Sequence, residues 1–346
     1  MGDSQYFQAY EDLEIHEIML RDRPRQEAYC NAITSNAAMF KDKVVLDVGA
    51  GTGILSIFCA RAGAKTVYAV EASNLAAIAV DVVRENSLTP IIKVIQQRIE
   101  DFELPPTIDK VDIIVSEWMG FYLLHEGMLD SVIFARNKFL RPGGRMFPET
   151  AAIYVAPCSV PALFDYWDNV DGVKMQSFAQ LLRAKRSSKP EILTIGKEDL
   201  LHEGIVMSWI DLHEVSPEDL DEISLKEVVP VRRDGSYQGL CIWFDCQFPT
   251  HDPDGGIVFS TSPKSPQTHW KQCIVVLPSN ACEDVTKGEP IAFGLVMKRN
   301  PNDRRKYNIE MSLLDSAEVE HPLPCDCIMT KCILTKAHLA TMEVDN

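Results

Sequence analysis

Two glutamates lie in a segment otherwise rich in large apolar side chains, SEWMGFYLLHEGM, which covers residues 116–128. Glu117 and Glu126 are nine residues apart. A helix would place them on opposite faces, and an extended strand would hold them about 30 Å apart. Only a reversal of the chain brings the carboxylates together, and Gly120 and Gly127 allow such a turn. Because two carboxylates in an apolar setting need a cation to offset desolvation and repulsion, the segment predicts a site for a cationic group.

Three glycines, Gly49, Gly51 and Gly53, lie between an apolar run and a helical pattern in VVLDVGAGTGIL. Small residues there let a ligand approach the backbone near a helix N-terminus. The GxGxG spacing lacks the last interval of the dinucleotide fingerprint, so a pyrophosphate is not specifically indicated. Glu71, about twenty residues on, is placed to accept hydrogen bonds from a ribose diol. A nucleoside without a diphosphate fits best, and S-adenosylmethionine is the common one. The alternative is a tight turn followed by a surface glutamate.

The elements that must position these residues repeat between residues 43 and 147. Short apolar runs such as KVVLDV and KVDIIVSE alternate with longer helical patterns, which predicts a βαβ series and a parallel sheet. The last helical pattern, MLDSVIFARNKFL, stops at RPGG, a strong terminator. We therefore assign the sheet domain to residues 41–147. Residues 1–40 precede it, and residues 11–40 predict one or two helices that could cover a ligand.

Beyond the sheet domain the pattern changes to alternating strands separated by turn residues. In YNIEMSLL, for example, Ile309, Met311 and Leu313 share one face of a strand. Residues 148–346 are therefore expected to form a mostly antiparallel β domain. An aromatic helical stretch, VPALFDYWDNVDGVKMQSFAQLLRAKR, interrupts it over about residues 160–186. This stretch is either a packed hairpin or a projecting arm.

The charge balance favours basic partners. Thirty-four basic against fifty acidic residues give a formal charge of -16, which repels phosphate backbones and favours encounters with basic substrates. A solvated acidic surface explains the same charge, so charge alone names no partner. The sequence has no apolar run of the roughly 18 residues that a membrane span needs, and its N-terminus lacks the pattern of a secretory signal. We expect no direct binding to nucleic acid or membranes, and a location in the nucleus, the cytoplasm or both.

The chain contains ten cysteines. Without a secretory signal they indicate reduced thiols rather than disulfides. Cys325, Cys327 and Cys332 are close in sequence, but they have no CxxC pair and no histidine at a familiar zinc spacing. We therefore expect thiols on a C-terminal strand and no metal site.

Four motifs together resemble the protein arginine N-methyltransferases: YFQAY near the N-terminus, VLDVGAGTG, SEWMGFYLLHEGM and THW at residues 268–270. The resemblance covers nearly the whole chain. Within the family, VLDVGAGTGILSIFCARAGA, VYAVEAS and LLHEGML most resemble arginine methyltransferase six, a type I member that makes asymmetric dimethylarginine. The resemblance implies an α/β Rossmann-like domain that binds S-adenosylmethionine, followed by a β-barrel domain with an inserted helical dimerisation arm. It also implies a homodimer that methylates arginines of basic proteins such as histones and releases S-adenosylhomocysteine.

The resemblance further implies roles for individual residues. The residues that match cofactor contacts are Tyr6, Phe7, His16, Arg25, Asp47, Gly49, Gly51, Glu71, Arg98, Ile99 and Glu100. The residues that match substrate contacts are Tyr10, Met19, Asp22, Met128 and Trp270. The residues that match catalytic positions are Glu117, Glu126 and His269. Arg25 is expected to pair with the methionine carboxylate of the cofactor, and Asp22 is expected to hold His269 through a histidine–carboxylate contact.

An arginine substrate explains the paired acids. Its guanidinium is always protonated, planar and forked, so its site needs carboxylates that accept its N–H donors in fixed geometry. Glu117 and Glu126 can aim one nitrogen at a sulfonium methyl while drawing the positive charge toward the other nitrogens. Met19 and Met128 are expected to crowd the slot without competing for hydrogen bonds, so that a second methyl reaches the same nitrogen.

One position departs from the family pattern, and three other functions are open. Phe121 stands where related chains often have tyrosine, so a hydroxyl is absent there. A non-catalytic scaffold that binds S-adenosylmethionine is disfavoured because both acids are present. A nicotinamide dehydrogenase is disfavoured by the incomplete glycine fingerprint. Methyl transfer to nucleic acid is disfavoured by the net charge. The paired acids disfavour methyl transfer to nucleic acid and methyl transfer to a small molecule alike.

Overall fold

The computed structural model describes residues 12–250 and 256–344 of the chain. Three residues that the resemblance assigns to the site, Tyr6, Phe7 and Tyr10, lie outside the described residues. Within the described ranges, no helix is both long enough and apolar enough to cross a membrane.

Between residue 12, where the described part of the chain begins, and the sheet lie three helices, where the sequence predicted one or two over residues 11–40. They are α1 (Leu13–Arg21), α2 (Arg23–Ser35) and α3 (Ala37–Phe40). Asp22 separates the first two, and its carboxylate accepts the Arg25 amide at 3.1 Å to cap α2. Tyr29 of α2 is fully buried, and its ring meets that of Phe248 at 4.9 Å between centroids. This contact joins the N-terminal helices to the second half of the chain.

The predicted parallel sheet is confirmed. Its strands are β1 (Val44–Val48), β2 (Thr66–Glu71), β3 (Ile92–Gln96), β4 (Val111–Val115) and β5 (Leu140–Phe147). The five strands pair in parallel in the order β3-β2-β1-β4-β5. The intervening helices are α4 (Ile54–Arg61), α5 (Leu75–Glu85) and α6 (Met128–Phe139). Because parallel strands present their carboxyl ends at one edge, the loops after β1, β2, β3 and β4 meet there.

The terminator after α6 behaves differently from expectation. The helix ends at Phe139, as RPGG predicts, but RPGG itself lies within β5. The register of β4 against β5 shifts here, because Val111 pairs with Leu140 and Ile113 with Arg145. Gly143, with φ of 71°, accommodates the irregularity.

The second half of the chain is antiparallel, as predicted. Its strands are β6 (Thr150–Cys158), β7 (Glu191–Leu193), β8 (Ile205–Asp211), β9 (Glu222–Pro230), β10 (Gly235–Tyr237), β11 (Gly239–Gln247), β12 (Val258–Ser260), β13 (Gln272–Val276), β14 (Glu283–Val285), β15 (Pro290–Asn300) and β16 (Asp303–Leu313). One sheet has the order β7-β13-β11-β6-β8, with β12 on β11; the others are β16-β15-β9 and β10-β14. In β16, Ile309 and Met311 pack against the core, but Leu313 at the strand end is half exposed.

The insertion between β6 and β7 is helical only at its two ends. A 3₁₀ turn covers Asp165–Asp168, and α7 covers Gln176–Arg186. Between them Val170 and Val173 form an isolated bridge, and Asp171 and Gly172 take positive φ angles of 50° and 86°. The predicted helical stretch is therefore divided by a turn into a short 3₁₀ segment and one α-helix.

The C-terminal cysteines do not lie on a strand, which corrects the sequence-based expectation. Cys325 and Cys327 lie in an irregular segment, and Cys332 lies near the start of α8 (Thr330–Val344). The nearby Pro322 and Pro324 lack the N–H donors that a strand ladder needs.

Candidate active site

A cavity of about 480 Å³ lies between α1, the glycine loop, the glutamate segment and the start of β16. Its volume falls within the range that small-molecule sites usually occupy. The predicted site residues that line it are His16, Met19, Arg25, Gly49, Gly51, Glu71, Arg98, Ile99, Glu100, Glu117, Glu126, Met128, His269 and Trp270. Residues that are distant in sequence therefore meet in one cavity.

The glycine loop turns tightly after β1. Gly49, Gly51 and Gly53 have φ angles of 73°, 54° and 83°, a region that favours glycine. The Gly49 amide donates to the Val70 carbonyl at 2.9 Å. A Cβ atom on Gly49 would overlap the terminal methyl of Met128. The loop therefore needs glycine for its backbone conformation, and the end of the Met128 side chain lies directly against it.

Glu71 is fixed at the carboxyl end of β2. Its Oε2 accepts the Gly51 amide at 2.8 Å, and its Oε1 accepts the Ser73 amide and hydroxyl at 2.8 and 2.7 Å. Three donors hold the carboxylate at the cavity wall, beside the exposed backbone of the glycine loop. This arrangement fits a nucleoside whose ribose hydroxyls donate to an acid.

Asp47, which the resemblance assigns to the cofactor site, does not line the cavity. Its side chain is fully buried below the loop, where Oδ2 accepts the Ser56 hydroxyl at 2.6 Å. Among the described residues, Oδ1 has no hydrogen-bond partner. Burial raises the pKa of Asp47 to about 7, with the Ser56 hydrogen bond opposing the rise and the nearby charge of Glu71 adding to it. Asp47 therefore supports the loop from beneath.

The loop after β3 supplies Arg98, Ile99 and Glu100. Arg98 Nε donates to Glu100 Oε2 at 3.3 Å, and the Ser131 hydroxyl of α6 donates to Glu100 Oε1 at 2.6 Å. Ile99 is buried. Glu100 thus links this loop to the helix that follows the paired glutamates.

The glutamate segment reverses direction, as the sequence predicted. Gly120 and Leu123 exchange two backbone hydrogen bonds of 3.0 Å. Glu126 has φ of 77°, and its backbone is bonded to Arg305 of β16: its amide donates to the Arg305 carbonyl at 2.6 Å, and its carbonyl accepts from Arg305 Nη1 at 2.7 Å. The turn returns Glu126 to the cavity that Glu117 also lines.

Arg25 pairs with Glu117 inside the protein. Its Nε and Nη2 donate to Glu117 Oε2 at 2.9 and 2.6 Å, and its Nη1 donates to the Met19 carbonyl at 3.2 Å. Both side chains are buried, with exposed fractions of 7% and 5%. The expected partner of Arg25 was the cofactor carboxylate; in the structure the arginine fixes a predicted catalytic acid, because a buried charge needs a near partner of opposite sign.

Asp22 holds His269, as the sequence predicted, and does not itself line the cavity. Asp22 Oδ2 accepts the His269 amide at 2.9 Å and lies 2.6 Å from Nδ1 of the imidazole. Burial alone would raise the pKa of Asp22, but the His269 side chain and the amides of His269 and Arg25 hold it below its usual value. The adjacent Trp270 is buried, and its Nε1 donates to the Met119 carbonyl at 3.0 Å.

Sequence reasoning missed several residues that shape the cavity. Asp303, Arg305 and Lys306 reach it from the start of β16. Tyr29 donates its hydroxyl to the Ser116 carbonyl at 2.9 Å and so fixes the start of the glutamate segment. His125 also lines the cavity; burial lowers its pKa, assisted by the charge of Lys306 and opposed by that of Asp303. No local pattern marks these residues, because their partners are distant in sequence.

Comparison with known proteins supports the same chemistry. Residues 45–144 match a model of a methyltransferase domain, and residues 149–317 match the arginine methyltransferase oligomerization subdomain. A zebrafish (Danio rerio) relative, protein arginine N-methyltransferase 6, is 42% identical over 282 residues, covering 80% of this chain and 79% of its own. The chain belongs to the protein arginine N-methyltransferase family. A rice relative (Oryza sativa subsp. indica), probable protein arginine N-methyltransferase 6.1, is 37% identical over 336 residues, covering 89% of this chain and 87% of its own.

Solved structures of other arginine methyltransferases share the architecture. One is the Trypanosoma brucei PRMT1 enzyme–prozyme heterotetrameric complex with AdoHcy, with TM-score 0.77, 32% identity and coverage of 91% of this chain and 98% of that one. Another, PRMT6–SAH, has TM-score 0.76, 31% identity and coverage of 88% and 100%. The protein is thus an S-adenosylmethionine-dependent arginine methyltransferase. The glycine loop with its fixed acid, Glu71, is chemically suited to that cofactor.

Proposed function

We propose that this arginine methyltransferase is a type I enzyme that forms monomethylarginine and asymmetric dimethylarginine on basic proteins such as histones. The observation that carries the proposal is the presence of Glu117, Glu126, Met19 and Met128 around one cavity. Two acids suit a guanidinium. Two thioethers limit how that group can turn.

Glu117 and Glu126 accept N–H donors of the substrate guanidinium in this proposal. Arg25 is a positioning residue, because its contacts with Glu117 Oε2 fix that carboxylate from one side and leave Oε1 for the substrate. When bound, S-adenosylmethionine supplies an electrophilic methyl group on a sulfonium. The two acids draw the positive charge toward the nitrogens they bind, so the remaining nitrogen keeps a lone pair.

His269 is proposed to close the slot. An ionised carboxylate only accepts hydrogen bonds, so Asp22 Oδ2 fixes the proton of His269 on Nδ1. In the neutral imidazole the opposite nitrogen, Nε2, is an acceptor on a ring whose orientation is set. This chemistry suits contact with an N–H of the substrate.

The proposed product type, asymmetric dimethylarginine, depends chiefly on Met128. Its methyl packs where a Cβ of residue 49 would lie, so it fills the space between the glycine loop and the guanidinium slot. With Met19 on the α1 side, a monomethylated guanidinium keeps one orientation and returns the same nitrogen to the methyl donor. Chromatography of hydrolysed product after labelled methyl transfer tests this. We expect monomethyl and asymmetric dimethyl products; symmetric dimethylarginine from the unmodified enzyme would overturn the type I proposal.

Basic protein substrates are proposed on the net charge of -16, which steers cationic partners toward the enzyme. Histones and a matched set of arginine-containing acidic peptides should separate in rate, and the difference should shrink at high salt because salt screens the attraction. Cofactor binding without methyl transfer to any arginine-rich protein would favour a non-catalytic scaffold. We propose the nucleus, the cytoplasm or both as the location, which microscopy of the tagged chain can test.

A homodimer is proposed through the insertion of residues 160–186. Tyr166, Phe178 and Leu181 are 59%, 51% and 75% exposed there, and exposed apolar patches usually mark interfaces. Phe164 of the same insertion is buried within the chain, and the Arg183 guanidinium lies 4.8 Å from the centre of its ring. Sedimentation should show a dimer, and Leu181→Glu should weaken it. A fully active monomer at micromolar concentration would contradict the proposal.

A further inference from the structure

A second cluster of reactive side chains lies outside the active-site cavity. His321, Cys325, Cys327 and Cys332 bring one ligand atom each to within 4.8 Å of one another. The three cysteines are buried and form a small cluster of their own, joined by the partly buried Met329. No disulfide links them. The missed signal in the sequence is His321, four residues before Cys325.

The geometry at His321 favours metal binding over ordinary hydrogen bonding. Its Nε2 lies 2.7 Å from the Ser316 carbonyl, which can only accept, so Nε2 carries the proton. Nδ1 then has a single lone pair. The sulfur atoms of Cys325, Cys327 and Cys332 lie 3.4, 3.4 and 3.1 Å from it. One lone pair cannot accept three thiol protons at once, whereas a cation placed among the four atoms satisfies all of them.

We propose that His321, Cys325, Cys327 and Cys332 bind one Zn²⁺ ion in a tetrahedral structural site. Zinc–sulfur bonds of about 2.3 Å and a zinc–nitrogen bond of about 2.0 Å set nitrogen–sulfur edges of roughly 3.5 Å. The observed separations of 3.1 to 3.4 Å need only a small expansion to reach that figure. Binding releases the three thiol protons to solvent and leaves a net charge of −1 on the site.

The ligand set selects zinc and a structural role. Thiolates and imidazole suit zinc, and four protein ligands close the coordination sphere, whereas a catalytic zinc keeps a position open. The bond from Nε2 to the Ser316 carbonyl is the outer contact that fixes a metal-binding histidine in the required tautomer. This proposal replaces the metal-free expectation for these cysteines.

The proposed ion would fasten the C-terminal helix to the body of the protein. Cys332 lies on α8, while the other ligands lie in the segment before it. Asp326, between two of the ligands, pairs with Arg232 at 3.1 Å and with Lys336 at 2.6 Å. The Ile328 amide donates to the Gly288 carbonyl at 2.9 Å. All four ligands lie beyond residue 317, where the match to the oligomerization subdomain ends.

Metal content of the full-length protein tests the proposal without reference to methyl transfer. Protein purified without chelator should contain one zinc ion per chain by inductively coupled plasma mass spectrometry. The double variant Cys325→Ser/Cys332→Ser, and separately His321→Ala, should lose it. Cys282→Ser, a partly exposed thiol elsewhere in the chain, is the matched control and should keep it.

Cobalt exchange and chelation make the result independent of variant folding. Replacing zinc by Co²⁺ in the unmodified protein should give thiolate-to-cobalt absorption in the near ultraviolet. Removing the ion should make residues 316–344 sensitive to limited proteolysis while the rest of the chain stays resistant. Wild-type protein without metal after zinc-replete expression, or full zinc content in the double-serine variant, would overturn the assignment.

Discussion

Glu117→Gln tests the role of the Arg25–Glu117 pair most directly. Both N–H bonds from Arg25 reach one oxygen, Oε2, at 2.9 and 2.6 Å. Bonds to a charged acceptor contribute about 1.5–3 kcal/mol each and neutral ones about 0.5–1.5, so making the acceptor neutral removes roughly 1–1.5 kcal/mol per bond. The free energy of unfolding should therefore fall by about 2–3 kcal/mol. Turnover should fall by about a hundredfold or more, because the substrate loses a charge-assisted acceptor.

Glu126→Gln is the matched control for this change. Glu126 is held at its place by backbone bonds with Arg305, which survive the substitution. Turnover should fall as it does for Glu117→Gln, but the two Arg25 bonds to Glu117, and their contribution to the free energy of unfolding, should be retained. Denaturant unfolding and labelled methyl transfer measure the two quantities, and calorimetric binding of S-adenosylmethionine checks that the cofactor site is intact.

The outcomes separate the two roles assigned to Glu117. Equal losses of unfolding free energy in the two variants would show that Arg25 does not stabilise the glutamate segment. Turnover close to wild type in both variants would refute the proposal that Glu117 and Glu126 bind the substrate guanidinium. A double cycle with Arg25→Gln should reveal coupling with Glu117 but not with Glu126.

Three further predictions follow from other contacts. The pKa of Asp47 rises to about 7 on folding, so ionisation of its carboxyl group destabilises the folded state. The free energy of unfolding should therefore fall by about 4 kcal/mol through this residue as pH rises from 4 to above 7. In the cofactor-free protein, Asp47→Asn should remove that dependence, and an unchanged pH profile of unfolding would refute it. Folding lowers the pKa of Asp22, so Asp22→Asn should have a lower free energy of unfolding than wild type near neutral pH. This difference should vanish as pH falls through the pKa of Asp22 in the folded protein. Asp12→Asn, at the exposed cap of α1, is the control. Met19→Phe should shift the product toward symmetric or arrested monomethylarginine by chromatography, whereas Leu13→Phe on the exposed side of the same helix should not.

Local features of the site were predictable from the sequence. The glycine loop follows from three glycines between a strand and a helix, and Glu71 ends the next strand. The reversal between Glu117 and Glu126 follows because neither a helix nor a strand can bring the two acids together. In each case the signal lies within about twenty residues, where periodicity and turn chemistry are informative.

Contacts between distant segments were not predictable. Arg25 meets Glu117 across 92 residues, and Arg305 meets Glu126 across 179. The pairing of Arg25 with Glu117 depends on packing that one sequence does not reveal. Asp47 shows the same limit: its place under the glycine loop rather than in the cavity depends on which face of β1 is covered. His321 escaped notice because its spacing from the cysteines matched no familiar zinc pattern.

Asp22 makes hydrogen bonds to three parts of the site: helix α1, helix α2 and His269. Its amide donates to the Ile18 and Met19 carbonyls at the end of α1, one carboxylate oxygen caps α2 at Arg25, and the other holds His269. Movement of α1 off the cavity would turn this residue and so release the histidine and disturb the arginine that orients Glu117. Helix α1, His269 and the Arg25–Glu117 pair should therefore move together. The active site would then be either fully formed around both substrates or fully open.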